Sequence, residues 1–177
     1  MKHHYRFSSF VVLIAFSVSF CAETNKETQL IDSLIKVTAS SKIESTKPNQ
    51  ATSILKDISP MKLRDSTDQT MIFVAPSPII KPFTEIRIEY NEISGGEKNN
   101  WVFNFFIAKI ESAMPDLLEH ISNQYAGLLK KKGVKHIVDN ETNISWNLKG
   151  NFSLVVSLSK KEPQRVTIQI SKKDSED

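Results

Sequence analysis

Once the first 21 residues are set aside, two histidines, His120 and His136, and no cysteine remain to do chemistry. Asp116 and His120 stand four apart with Glu119 adjoining, the spacing that puts a carboxylate and an imidazole on one helical face. Such a pair can orient a general base for hydrolysis. The apolar residues there, Leu117, Leu118 and Ile121, claim the other side, so Asp116 and His120 are expected to face water. Serine is abundant, and no Gly-x-Ser-x-Gly turn singles one out as a nucleophile. Without cysteine the body has neither thiol catalysis nor thiolate metal ligation. Gly95-Gly96 lacks the Lys-Ser or third glycine of a phosphate loop and reads as a turn. No metal site and no cofactor is expected.

Binding offers more candidates. Lys130, Lys131, Lys132 and Lys135 with His136 form the densest basic cluster. Lys131, Lys132 and Lys135 are candidate contacts to an anionic surface, although a helix ending there would attract the first three by its dipole alone. Trp101, Phe103, Phe105 and Phe106 are dense enough to cover more than one face of a helix. Trp101 and Phe105 are therefore candidate exposed contacts.

The N-terminus says where such contacts would occur. Lys2 and Arg6 precede the apolar run Phe10–Phe16, and Ser17 and Ser19 lead to Cys21-Ala22 and a polar segment. This is the layout of a secretory signal peptide, too short for a transmembrane span. Export to the periplasm, cell envelope or extracellular space is the expectation. Removing residues 1–21 lowers the basic count from 23 to 21 against 20 acidic, a net of +1. The basic isoelectric point then belongs largely to the leader, and nucleic acid is not an expected partner. Val18-Ser19-Phe20-Cys21 resembles a bacterial lipoprotein signal, which implies lipidation of Cys21 and membrane association through it; Phe20 departs from the small residue expected there. Ordinary cleavage near Cys21 is the preferred reading, and lipidation the alternative.

The elements that would position these residues follow from periodicity. Residues 22–70 contain no Phe, Tyr or Trp and read as a mobile linker with short amphipathic helices. Leu30, Ile31, Leu34 and Ile35 form one helical face, suited either to a partner or to packing on the chain's own domain. The folded body is expected over 71–172, with a disordered tail at 173–177. Met71–Ala75 and Glu85–Tyr90 read as strands. From Asn100 to Gly133 apolar residues recur at threes and fours, predicting one long helix capped by Asn99 or Asn100, kinked or broken at Pro115, and closed by Gly133. After it Val134–Val138, Ile144–Leu148, Phe152–Leu158 and Val166–Ile170 alternate, with Gly150-Asn151 as a hairpin turn.

The sum is an α+β domain of two layers, a curled antiparallel sheet packed on one long helix. In outline it resembles cystatin-like folds and those of the nuclear transport factor type. The cystatin inhibitor loop Gln-x-Val-x-Gly is absent. The expected function is a small exported binding or accessory protein without catalytic activity, meeting a protein partner or an envelope surface. The alternatives are a small secreted hydrolase using His120, or a lipid-anchored structural component of the envelope tethered through Cys21.

Overall fold

A computed structural model describes residues 25–40, 53, 55, 62–67, 70–74, 82–93, 100–138, 141–159 and 164–172, with side chains left aside at 73–74, 91–93 and 100–104. The expected signal peptide with Cys21, the expected turn at Gly95-Gly96 and the expected tail lie outside the described residues. So does the side chain of Trp101.

Among the described residues the chain is a mixed α/β fold built on one antiparallel sheet of eight strands that does not close into a barrel, with two helices. The elements are α1 (residues 25–39), β1 (Lys62–Ser66), β2 (Thr70–Val74), β3 (Phe83–Ile93), β4 (Asn100–Ser112), α2 (Leu117–Leu129), β5 (Val134–Val138), β6 (Glu141–Asn147), β7 (Phe152–Ser159) and β8 (Gln164–Lys172). Spatial order is β1-β2-β3-β4-β8-β7-β6-β5. Two meanders, β1–β4 and β5–β8, are therefore joined side by side where β4 pairs β8, and β1 and β5 are the edges.

Strand β4 overturns half of the predicted helix. Phe103, Phe106, Ile107 and Ile110 fit a helical period, but residues 105–110 also fit a period of two. In the fold Phe106, Ala108 and Ile110 are buried, while Phe105 and Ile107 are half-buried and Lys109 exposed on the other face. Aromatic and β-branched residues favour a pleated surface, and β4 gains ladder partners on both sides, β3 and β8. Pro115 then makes physical sense: it lies in the turn ahead of a new helix. Asp116, not Asn99 or Asn100, takes the N-cap position, in left-handed conformation at φ 55°.

The other end of the predicted helix is corrected as well. α2 stops at Leu129, and Lys130 is the left-handed closing residue at φ 51°, its N–H reaching the Ala126 carbonyl. Gly133 has a different task. A Cβ there would lie 2.4 Å from Ile144 Cγ2 and 2.6 Å from the Trp146 ring. Only glycine lets the chain pass under that indole.

Register shows why one face is apolar. Ile86, Ala108, Ile168, Val156 and Ile144 are successive cross-strand partners, as are Ile88, Phe106, Ile170, Leu154 and Trp146. These two rows cross β3, β4, β8, β7 and β6. Nearly all their members are buried, and each large one buried contributes about 1.5–3 kcal/mol gross. From α2, Leu117, Ile121 and Tyr125 join the same core, and the Tyr125 ring lies 5.6 Å from that of Trp146. Gly150 and Asn151, at φ 67° and 63°, make the tight turn into β7 as predicted.

Helix α1 packs on this same core. Ile31, Leu34 and Ile35 are fully buried, and Leu55 is buried with them. Of the two uses open to that apolar face, packing on its own domain is the one realised. Three polar contacts accompany it. Ser112 Oγ donates to Glu27 Oε2 at 2.6 Å and accepts the Met114 N–H, which holds the corner between β4 and α2. Thr38 Oγ1 lies 2.8 Å from the Leu34 carbonyl and 2.6 Å from the Tyr125 hydroxyl. A carbonyl only accepts, so Thr38 donates to Leu34 and Tyr125 donates to Thr38. The third contact is Asp32 with His120.

Candidate functional site

His120 projects from α2 toward α1. Its Nε2 lies 2.8 Å from Asp32 Oδ1, the two side chains being 26% and 27% exposed. Asp116, the partner suggested by spacing, supplies only its backbone carbonyl, which accepts the His120 N–H. The imidazole is therefore half-buried between helices and not on a solvated face. Asp32 lies 88 residues away in sequence, and no local pattern points to it. The hydroxyls of Ser33 and Ser122, close to the pair in sequence, donate to the carbonyls of Gln29 and Glu119. The pair thus works as an interhelical tie.

The binding candidates divide between two places. Lys131 and Lys132 are exposed just beyond the last turn of α2, and Lys135 is exposed on β5. The Trp146 indole N–H donates to the Lys131 carbonyl at 3.0 Å, which fixes where the chain leaves the helix. Phe105 sits on β4, half-buried, with the Arg87 guanidinium 5.0 Å from its ring centre. Four strand spacings, roughly 19 Å, separate β4 from β5. Phe105 and the lysines therefore do not form one site. The Trp101 backbone runs in β4 opposite Glu92.

Around the lysines lies a feature that the sequence did not flag. All five residues of β5 are exposed, with Val134 at 56%, Ile137 at 68% and Val138 at 55%. Register assigns their faces. Lys135 opposes Ile144 and Ile137 opposes Thr142, so both extend the face that carries the core. Val134, His136 and Val138 lie on the opposite face. One side of β5 is paired to β6, and among the described residues no strand lies beside the other. Leu128, at the end of α2, adds a further exposed apolar side chain. The result is a short open strand edge that begins and ends on exposed apolar residues, with Lys135 and His136 between them and a lysine run just ahead of it.

The opposite edge is chemically distinct. β1 reads Lys-Leu-Arg-Asp-Ser and carries charge at three of five positions. Charged edges resist pairing with another strand. Ion pairs elsewhere on the sheet, Lys109–Glu85 at 3.0 Å and Arg165–Glu111 at 3.1 Å, are at the surface and contribute little. Among the described residues no helix is long and apolar enough to cross a membrane, and no group of three His, Cys, Asp or Glu side chains is placed to hold a metal ion. No protein-family model matches this chain, and no curated protein or solved structure matches it either.

Proposed function

We propose that this chain is an exported binding or accessory protein of the periplasm, cell envelope or extracellular space, which acts by contact and not by catalysis. The open β5 edge carries the reading. An unpaired strand offers a row of backbone donors and acceptors, and a partner segment can add to it as a further strand. Val134, Ile137 and Val138 would supply the apolar contact, and Lys131, Lys132 and Lys135 would favour an acidic partner segment or an anionic envelope surface. The leader sequence supports the compartment. Lipidation of Cys21, where it occurs, would add a membrane tether, and a structural envelope role would follow from it.

The experiment is site-specific photocrosslinking in cells, with the probe at Ile137 on β5 or at Arg64 on β1. Crosslinked species at Ile137 and not at Arg64 are expected. Equal or absent crosslinking at both edges would overturn the contact surface. Intact mass of the recovered protein tests export, and a mass retaining Met1 would overturn it. An added mass of two or three acyl chains would show lipidation at Cys21.

A hydrolase using His120 has one observation in its favour, the short contact to Asp32, which could orient the ring. Its test is a screen of ester and peptide substrates with wild type and His120→Ala. Turnover that disappears in a folded variant would establish it.

A further inference from the structure

We infer that the partner of the β5 edge is an anionic phospholipid surface, met by the corner from Leu128 to Val138 with apolar side chains inserted and lysines on the headgroups. This rests on the reading that β5 is a contact surface, and it names which of that reading's two anionic partners is bound. The first observation is where the exposed apolar residues lie. Of the five large ones among the described residues, four are Leu128, Val134, Ile137 and Val138, and only Leu63 on β1 is elsewhere. From Lys130 to Val138 every residue except Gly133 is exposed. Lysines interleaved with apolar side chains suit the boundary between lipid and water, the lysines meeting phosphates and the apolar groups the acyl chains.

The second observation is charge. Lys130, Lys131, Lys132 and Lys135 fall in a stretch, His120 to Val138, that contains no Asp or Glu. Among the described residues none of the four pairs with a carboxylate. Glu141 is level with Val138, about 13 Å along the strand from Val134, so the lysine end is unopposed. An added acidic strand would use this charge poorly. β5 offers it five residues, and short edge strands resist pairing. The lysine run lies ahead of the strand, where the Lys131 carbonyl already accepts the Trp146 indole N–H. That bond and the left-handed Lys130 fix the run beside β5. The side chains of β5 are exposed on both faces of the sheet, Val134 and Val138 on one and Ile137 on the other. A headgroup layer surrounds such a corner from both faces, and its water satisfies the backbone groups of the open edge.

The full chain as recovered from cells, with a photocrosslinking residue at Ile137 or at Arg64, is mixed with vesicles and read by intact mass. With vesicles of phosphatidylcholine and phosphatidylglycerol, an adduct of one lipid is expected at Ile137 and none at Arg64. Each lysine near an anionic surface strengthens binding roughly fivefold. Phosphatidylcholine alone should therefore need at least about tenfold more lipid for the same yield, and so should Lys131→Gln combined with Lys132→Gln on the mixed vesicles. Val138→Ser should need about fourfold more, the effect of one buried methylene. These positions are exposed, so circular dichroism should be unchanged. No lipid adduct at Ile137, equal yields from the two kinds of vesicle, or a yield indifferent to the lysine pair or to Val138→Ser would overturn lipid as the partner. If lipid fails in this way while the Ile137 probe captures a protein in cells, the contact reading stands and an acidic segment takes the lipid's place. If neither is captured, both readings fall.

Discussion

Gly133 and Lys130 give opposite predictions according to which of them closes α2, and their substitution measures the packing around Trp146. In the structure Lys130 holds the left-handed conformation, with φ 51° and ψ 35°. A residue with a Cβ is disfavoured there by roughly 1–2 kcal/mol, part of which glycine gives back through its larger unfolded-state entropy. Lys130→Gly should therefore stabilise the protein by about 0.5 kcal/mol. At Gly133 the constraint is space. A Cβ would lie 2.4 Å from Ile144 Cγ2 and 2.6 Å from two atoms of the Trp146 ring, where ordinary contact is 3.4–4 Å. The indole has little room to move. It is buried, donates to the Lys131 carbonyl at 3.0 Å and lies against Tyr125. Forcing a methyl group into such a core costs about 1–3 kcal/mol, and Gly133→Ala should lie near the upper end. For a domain of this size that is a loss of roughly 6–12 °C in the thermal midpoint. Gly133→Asn separates the two causes. Asparagine tolerates the left-handed region, so it would be mild if Gly133 were a helix closer. Against a crowded indole it must be at least as harmful as alanine. Urea and thermal melts of the three variants, with near-ultraviolet circular dichroism to follow Trp146, decide the matter. Wild-type stability in Gly133→Asn would refute the close approach and with it the placement of Trp146.

Other consequences follow from the buried contacts. Leu34→Ala in α1 should cost about 2–5 kcal/mol, because Leu34 is fully buried; a chain beginning at Met71 should be less stable by more than that single change. Urea melts showing no loss in either would mean that α1 does not contribute to the core. Ile121→Ala should cost a similar 2–5 kcal/mol, whereas Glu119→Ala, on the exposed side of α2, should stay within about 0.5 kcal/mol. Equal melts for the two would contradict the packing of α2. Burial pushes the phenols of both Tyr90 and Tyr125 well above their ordinary value, the Thr38 hydrogen bond opposing this in part at Tyr125. Below pH 10 each phenol is protonated in both states and stability is flat. Above it the unfolded chain loses the proton first, so stability falls by up to about 1.4 kcal/mol per pH unit for each phenol. Tyr125→Phe should halve that slope in urea melts between pH 9 and 11.5; an unchanged slope would show that Tyr125 is not buried as described.

Much of the sheet was legible because a strand with one buried face writes its register into the sequence. Ile86, Ile88 and Tyr90 in β3, Phe152, Leu154 and Val156 in β7, and Val166, Ile168 and Ile170 in β8 alternate and are buried. The buried stripe of α2, Leu117, Ile121 and Tyr125, was legible by the same logic at a period of 3.6. The candidate sites were legible only in part. Lys131, Lys132 and Lys135 are exposed as a surface role requires, and Phe105 is half-buried away from them. His120 was misplaced because its environment is set by α1, through Asp32, and no spacing within α2 encodes that. β1 escaped notice for a related reason. Its five residues are all exposed, so no apolar alternation marks it, and it forms by backbone pairing to β2.

The misreading of residues 100–112 matters most for function, because β4 decides which strand is left at the edge. As a helix that stretch would have separated the chain into two smaller sheets, with β3 and β8 each exposing an edge. As a strand it pairs Ile88 with Phe106 and Phe106 with Ile170, so the apolar rows run unbroken from β3 to β6. Both inner edges are consumed at that seam. The two edges left over are β1, which carries Lys62, Arg64 and Asp65, and β5, whose only full charge is Lys135. Val134–Val138 is an ordinary short strand by composition, and its exposure is a property of topology. The apolar content that would bury it in the middle of a sheet is, at the edge, what gives a partner something to hold.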